Sequence, residues 1–354
     1  MRSTAIDRRA FLIGLGASTL AAAAPRAFAG SAPLFVSAAD GRAHEHYAVG
    51  VEATGEVRFQ IPLPARGHGI AADDGRAVLF GRRPGTFAVV IDLAEGRLVQ
   101  TIGSSTARSF EGHGAFSADG SRLFTTEHDD LSGAGLIGVY DTQSWKRLGE
   151  FAAGGIGPHE IRLMPGGASL VVCIGGIRTD GQRDMLNLDT MEPSLAYLDT
   201  DSGHLLEQVG PPAEWHQLSI RHMDLLADGT VGFGMQYMGD EEDEVPLMAL
   251  HRRGGNISWL RADETEERRL QQYIASVAFD ASGKHLAATS PRGNVIAQWD
   301  VGSGTYLGAK AAADVAGIAQ LGDDFLVSGG DGTLRTGARS VATQLAWDNH
   351  LTRA

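Results

Sequence analysis

Five of the 12 histidines, His68, His113, His159, His222 and His350, fall at one position of a repeating unit. Neutral imidazole binds iron, copper, zinc or nickel, so this register predicts a first-row transition-metal site. Glu160, next to His159, and Asp348, two residues before His350, can orient ring nitrogens from behind. His128 is a further candidate ligand from a loop. Glu127 and Asp129 beside it are rim carboxylates, the kind of group an enzyme would place beside an open metal position. Charge reversal at Glu127, Asp129 and Asp130 is expected to alter binding with little loss of stability. The competing role for the histidines is structural, each bonding the backbone of a neighbouring repeat. Packed sheets lie ~10 Å apart. That spacing predicts two or three neighbouring histidines sharing an ion with a loop ligand, rather than all five.

The elements that position these residues emerge from the repeat. Each marker residue opens a short apolar stretch, with a tight turn six or seven residues later and then a second apolar run. His68 leads to Asp74-Gly75, His113 to Asp119-Gly120, His159 to Pro165-Gly166 and His222 to Asp228-Gly229. Ser276 and Ala316 take the marker place before Ser282-Gly283 and Gly322-Asp323. The markers are spaced by 45, 46, 63, 54 and 40 residues, mostly near the ~40–45 of a four-stranded propeller blade. A third strand ends near Asp in several units, as in Val89-Val90-Ile91-Asp92 and Ala297-Gln298-Trp299-Asp300. Short strands alternating with Gly/Asp turns predict an all-β fold. Residues 33–61 supply three strands and no first one. The C-terminus supplies an isolated first strand, Leu345 to His350. We therefore expect a single seven-bladed β-propeller over residues 30–354, with its closing blade built from both termini, which removes open sheet edges.

Topology then selects a face. The marker residues and the long second–third loops (127–130, 177–194 and 237–246) belong to one rim of the channel, where a binding site is expected. Other motifs carry little. Gly133-Ala134-Gly135-Leu136-Ile137-Gly138 matches a dinucleotide pattern but leads into a strand, with no helix to cradle a pyrophosphate. The acidic run Asp240 to Glu244 lacks calcium-loop spacing. The chain has 354 residues, 43% hydrophobic, and one cysteine, Cys173, which excludes a disulfide framework and a thiolate zinc site.

Arg8-Arg9-Ala10-Phe11-Leu12, an apolar stretch and Ala27-Phe28-Ala29 resemble a twin-arginine export signal over residues 1–29. Its removal, with four Arg and one Asp, takes the net charge from −13 to −16. That charge argues against nucleic-acid or anionic-membrane binding, and no later run is apolar enough to span a bilayer. A soluble periplasmic protein is expected.

Gly157-Pro158-His159-Glu160, the run Leu186 to Leu195, Ser219-Ile220-Arg221-His222, Thr289-Ser290-Pro291-Arg292-Gly293 and Trp347-Asp348-Asn349-His350 resemble signature segments of one bacterial family. It is the family known as domain of unknown function 1513, and the resemblance runs over essentially the whole mature chain. It implies a periplasmic propeller whose genes neighbour imelysin-type iron-uptake components and di-haem peroxidases. It transfers no catalytic residues. Two function classes follow. One is a protein that binds a transition metal or metal complex, as an iron-uptake accessory partnered by periplasmic iron-uptake proteins. The other is a periplasmic oxidoreductase or hydrolase using the same mouth. A protein-interaction scaffold is a third.

Overall fold

The computed structural model describes residues 34–180 and 184–354. The export segment expected at residues 1–29 lies outside the described residues. Seven four-stranded antiparallel sheets form a seven-bladed β-propeller. Blades 2 to 7 span residues 67–103, 108–152, 158–209, 218–260, 276–311 and 315–342, each a meander in chain order. Blade 1 combines Leu34–Asp40, His46–Glu52 and Val57–Leu63 with the last strand, Ala346–Arg353. That last strand pairs antiparallel with Leu34–Asp40 and packs against the first strands of blades 2 and 7. It continues past His350 to Arg353, so His350 lies inside the strand rather than at its end.

Local chemistry explains the elements. The middle strands, such as Arg76–Gly81 and Ser169–Ile174, are apolar runs covered on both sides by neighbouring blades. The outermost strands, such as Arg97–Gly103 and Arg147–Ala152, are mostly exposed and carry charge, which discourages pairing with another chain. The turns after the first strands hold Gly75, Gly120, Gly166, Gly229, Gly283 and Gly322 at positive φ, the backbone region that glycine adopts without penalty.

One irregularity bears on function. In six blades the pairing between the innermost strand and its neighbour slips. The slips fall between Gly67 and Ile70, Phe110 and Gly114, Pro158 and Ile161, Ile220 and His222, and Val315 and Ile318. In blade 1 the slip lies between Trp347 and Leu351 on the last strand. Each of the five register histidines sits in or at one of these bulges. Blade 6, with regular pairing from Ser276 to Phe279, carries serine instead. A bulge bends the strand and re-aims its side chain.

Candidate metal centre

The bulges turn five imidazoles toward one another. His68, His113, His159, His222 and His350 are all buried, between 2% and 8% exposed. The His350 ring lies 4.5 Å from those of His68 and His113 and 5.2 Å from that of His222, centroid to centroid. His159 lies 4.6 Å from His113 and 4.8 Å from His222. The rings thus lie far closer than the ~10 Å sheet spacing, while the candidate ligand groups hold three and two histidines rather than all five. Blades converge like spokes, so their inner strands approach far more closely than sheets packed face to face. Two groups of ligand atoms lie within 4.8 Å of one another: His68, His113 and His350, and Glu160, His222 and His350. Four ring nitrogens, His113 Nε2, His159 Nδ1, His222 Nδ1 and His350 Nε2, are buried without a hydrogen-bond partner. Each such atom costs about 1–3 kcal/mol. Three of these four residues, His113, His222 and His350, belong to the groups whose ligand atoms converge, and His159 packs against His113 and His222 beside them.

A second layer of charge holds the cluster. Asp348 Oδ1 accepts from His68 Nδ1 at 3.0 Å, and its other oxygen meets Arg66 at 2.8 Å. This contact places the His68 proton on Nδ1 and leaves Nε2 as a lone-pair donor. Burial opposes ionisation of Asp348, but the His68 hydrogen bond and the Arg66 charge overcome it and hold the carboxyl well below its usual range. Glu160 pairs with Arg162 at 2.7 Å and accepts from the Met223 amide at 3.0 Å. Burial again opposes ionisation, yet Arg162 and His222 bring this carboxyl down to about 2. His222 Nδ1 stands 3.7 Å from Glu160, beyond direct hydrogen-bond distance.

Burial, reinforced by neighbouring rings, pushes His113, His159 and His350 well below the ordinary imidazole range. His222 is also lowered, burial outweighing Glu160. The folded state thus holds four neutral imidazoles that the unfolded chain protonates below about pH 6.5. Apo-protein stability should be full above that pH. It should fall as pH drops, by up to about 1.4 kcal/mol per pH unit for each ring still neutral in the fold. Urea unfolding at pH 7.5, 6 and 5 measures this, and a flat profile would contradict neutral, buried rings.

The rim candidates sit elsewhere. His128 is not part of the cluster: its Nδ1 pairs with Glu111 at 2.7 Å and its Nε2 faces Asp130 at 3.3 Å. Glu127 is no rim carboxylate. It is 1% exposed and bound by Arg147 at 2.8 Å, the Tyr140 hydroxyl at 3.1 Å and the Thr125 hydroxyl at 2.6 Å. Reversing its charge would leave Arg147 uncompensated, so the expectation of little stability loss fails at this position. Asp129 pairs with Arg108 and accepts from the Ser132 amide at 2.7 Å, pinning its own turn. Sequence reasoning missed two glycines. A Cβ on Gly112, at φ +103°, would lie 2.8 Å from His68 Cδ2. One on Gly69 would lie 2.6 Å from His113 Nδ1. Both leave room for imidazoles, and the flanking pattern His68-Gly69 and Gly112-His113 was the available signal.

Comparison with known proteins supplies the context. The sequence profile of one family, described as Protein of unknown function (DUF1513), matches residues 61–354. The chain belongs to this family. The matched span contains all five register histidines together with Glu160 and Asp348. No curated protein matches the chain. Among solved structures, it is similar to hydrazine synthase of Kuenenia stuttgartiensis, with a TM-score of 0.62 and 13% identity over 84% of this chain and 89% of that one. At that identity the likeness is one of fold.

Proposed function

We propose that this DUF1513 chain is a periplasmic metal-binding propeller whose five-histidine cluster holds a first-row transition-metal ion. The observation that carries the reading is the set of four unpartnered, buried imidazole nitrogens at the meeting point of five strands. A purely structural role would spend those nitrogens on backbone groups, and here they have none. Imidazoles with a carboxylate suit iron, copper, zinc or nickel. His68, backed by Asp348, has the carboxylate–histidine arrangement that sets a ligand's tautomer and raises its basicity. The periplasmic assignment rests on the export-type segment at residues 1–29. The role of iron-uptake accessory, with periplasmic iron-uptake proteins as partners, rests on the family resemblance. The enzyme reading draws less support, because Glu127 and Asp129 are committed to Arg147 and Arg108.

The test is metal titration of untagged protein after chelator treatment, with anaerobic Fe2+ and with Zn2+, Cu2+ and Ni2+ in parallel. Saturation at about one ion per chain by at least one of them is expected. Failure of all four to bind stoichiometrically would leave the cluster with a structural role only.

A further inference from the structure

A second group of polar side chains lies apart from the cluster, on the inner hairpin of blade 3. Ser109 pairs directly with His128 across that hairpin, and Glu111 and Asp130 each follow two residues later. All four line a cavity of about 450 Å3. Its wall is completed by the second–third loops of three blades, with residues 83–84 of blade 2, 130 and 133 of blade 3 and 178–180 of blade 4.

Each donor atom is held in place. Glu111, 4% exposed, is fixed by Arg83 at 3.1 Å and accepts from His128 Nδ1 at 2.7 Å. That contact puts the neutral ring's proton on Nδ1 and leaves a lone pair on Nε2. Asp130 is anchored through its amide to the Ala107 carbonyl at 3.1 Å, and its Oδ1 accepts from the Ser109 hydroxyl at 2.8 Å. Nε2 and Oδ1 stand 3.3 Å apart, and both side chains are partly exposed. A charge-assisted hydrogen bond would draw them to about 2.7–2.9 Å, as it does for Glu111. Their spacing is instead that of two ligands on one ion. With bonds of about 2.1 Å, adjacent ligands stand about 3.0 Å apart around an octahedral ion and about 3.4 Å around a tetrahedral one. The surroundings favour a cation. The Glu111 hydrogen bond, opposed by burial and helped by Asp130, raises His128 above the ordinary imidazole range. Of the two arginines in the wall, Arg83 is spent on Glu111, and Arg178 is exposed to water, which screens it.

We propose that this pocket is a second metal site, where His128 Nε2 and Asp130 Oδ1 chelate a divalent first-row ion that keeps water on its remaining positions. Imidazole with carboxylate suits such ions. Glu111 is a positioning residue, holding the imidazole by its far nitrogen as Asp348 holds His68. With two protein ligands on an open rim, the ion is held more weakly than in the buried cluster and exchanges with solvent. The site stands independently of the metal reading for the five histidines.

The test is a calorimetric Zn2+ titration of the untagged mature protein at pH 7.5, carried beyond saturation of the first site. The wild type should take a second, weaker ion per chain. His128→Ala and Asp130→Asn should each weaken that ion by about tenfold or more, at least the loss that an outer-shell partner gives. The tighter ion should stay within about threefold in both variants. Asp129→Asn is the charge control. Asp129 lines the same cavity but is held by Arg108 and the Ser132 amide, so its loss should leave the second ion within about threefold as well. No second ion in the wild type, or one that His128→Ala and Asp130→Asn leave unchanged, overturns the rim site. Equal loss in Asp129→Asn and Asp130→Asn also overturns it, because the ion then answers to diffuse charge. A tight ion retained in those cases leaves the cluster reading standing. A single weak ion that depends on His128 upholds the rim site and removes the cluster reading.

Discussion

Replacing His350 by alanine should lower metal affinity by about 100-fold or more, whereas His128→Ala should change it by less than about threefold. His350 belongs to both ligand groups, so its loss leaves each with two members. Its ring also lies 4.5 Å from those of His68 and His113 and 5.2 Å from that of His222. His128 is occupied by Glu111 and Asp130 and has no ring contact with the five. The comparison separates ligation from folding. Removing His350 also removes an unsatisfied Nε2, which offsets the cavity left by the ring, so the apo melting temperature should move little. Competition against a chelator of known affinity at pH 7.5, with melting curves of the apo variants, decides the matter. Equal affinity in the two variants would remove His350 from the centre. A large fall in apo stability with unchanged affinity would make it a packing residue.

Much of the architecture was legible because the repeat is local. Each turn glycine falls six or seven residues after a marker, and the turns form at Gly75, Gly120, Gly166, Gly229, Gly283 and Gly322. The histidine register was legible for the same reason. Its convergence was not, because that depends on bulges, and a bulge is decided by pairing with a strand some ten residues away. His113 shows the difficulty. Pairing jumps from Phe110 to Gly114, and His113 within that gap has no partner position to fix its direction from the sequence. Glu127 failed as a surface residue for a related reason. It opens an apparent loop at 127–130, yet its strand runs on to Asp129, and pairing with Phe110 and Leu136 buries it. His128, one residue on, alternates to the other side of the sheet.

Deleting residues 346–354 should abolish the cooperative fold or lower its melting temperature by at least about 10 °C. The deleted strand is the innermost member of blade 1. Trp347 and Leu351, 3% and 5% exposed, pack with Phe35, Val49, Val51, Leu326 and Leu334 between blades 1 and 7. Truncating a buried Trp costs about 3–5 kcal/mol and a buried Leu about 2–5, against a typical total stability of about 5–15. The strand's hydrogen bonds go as well, including Ser37 Oγ to the His350 carbonyl at 2.6 Å and the Ala354 amide to Leu34 at 2.9 Å. Its loss bares the edge of Leu34–Asp40, a buried apolar strand suited to pairing with another chain, so aggregation should accompany the instability. Thermal unfolding followed by circular dichroism, with light scattering, gives the readout. A truncated chain that melts cooperatively at the full-length temperature would show that the other six blades close without it. The same strand carries Asp348 and His350, so one segment both completes the ring and supplies the ligand shared by the two groups. The full-length His350→Ala chain should keep its fold while losing metal, which the truncation cannot do. That contrast ties the site to the closing strand's side chains and the fold to its backbone and apolar residues.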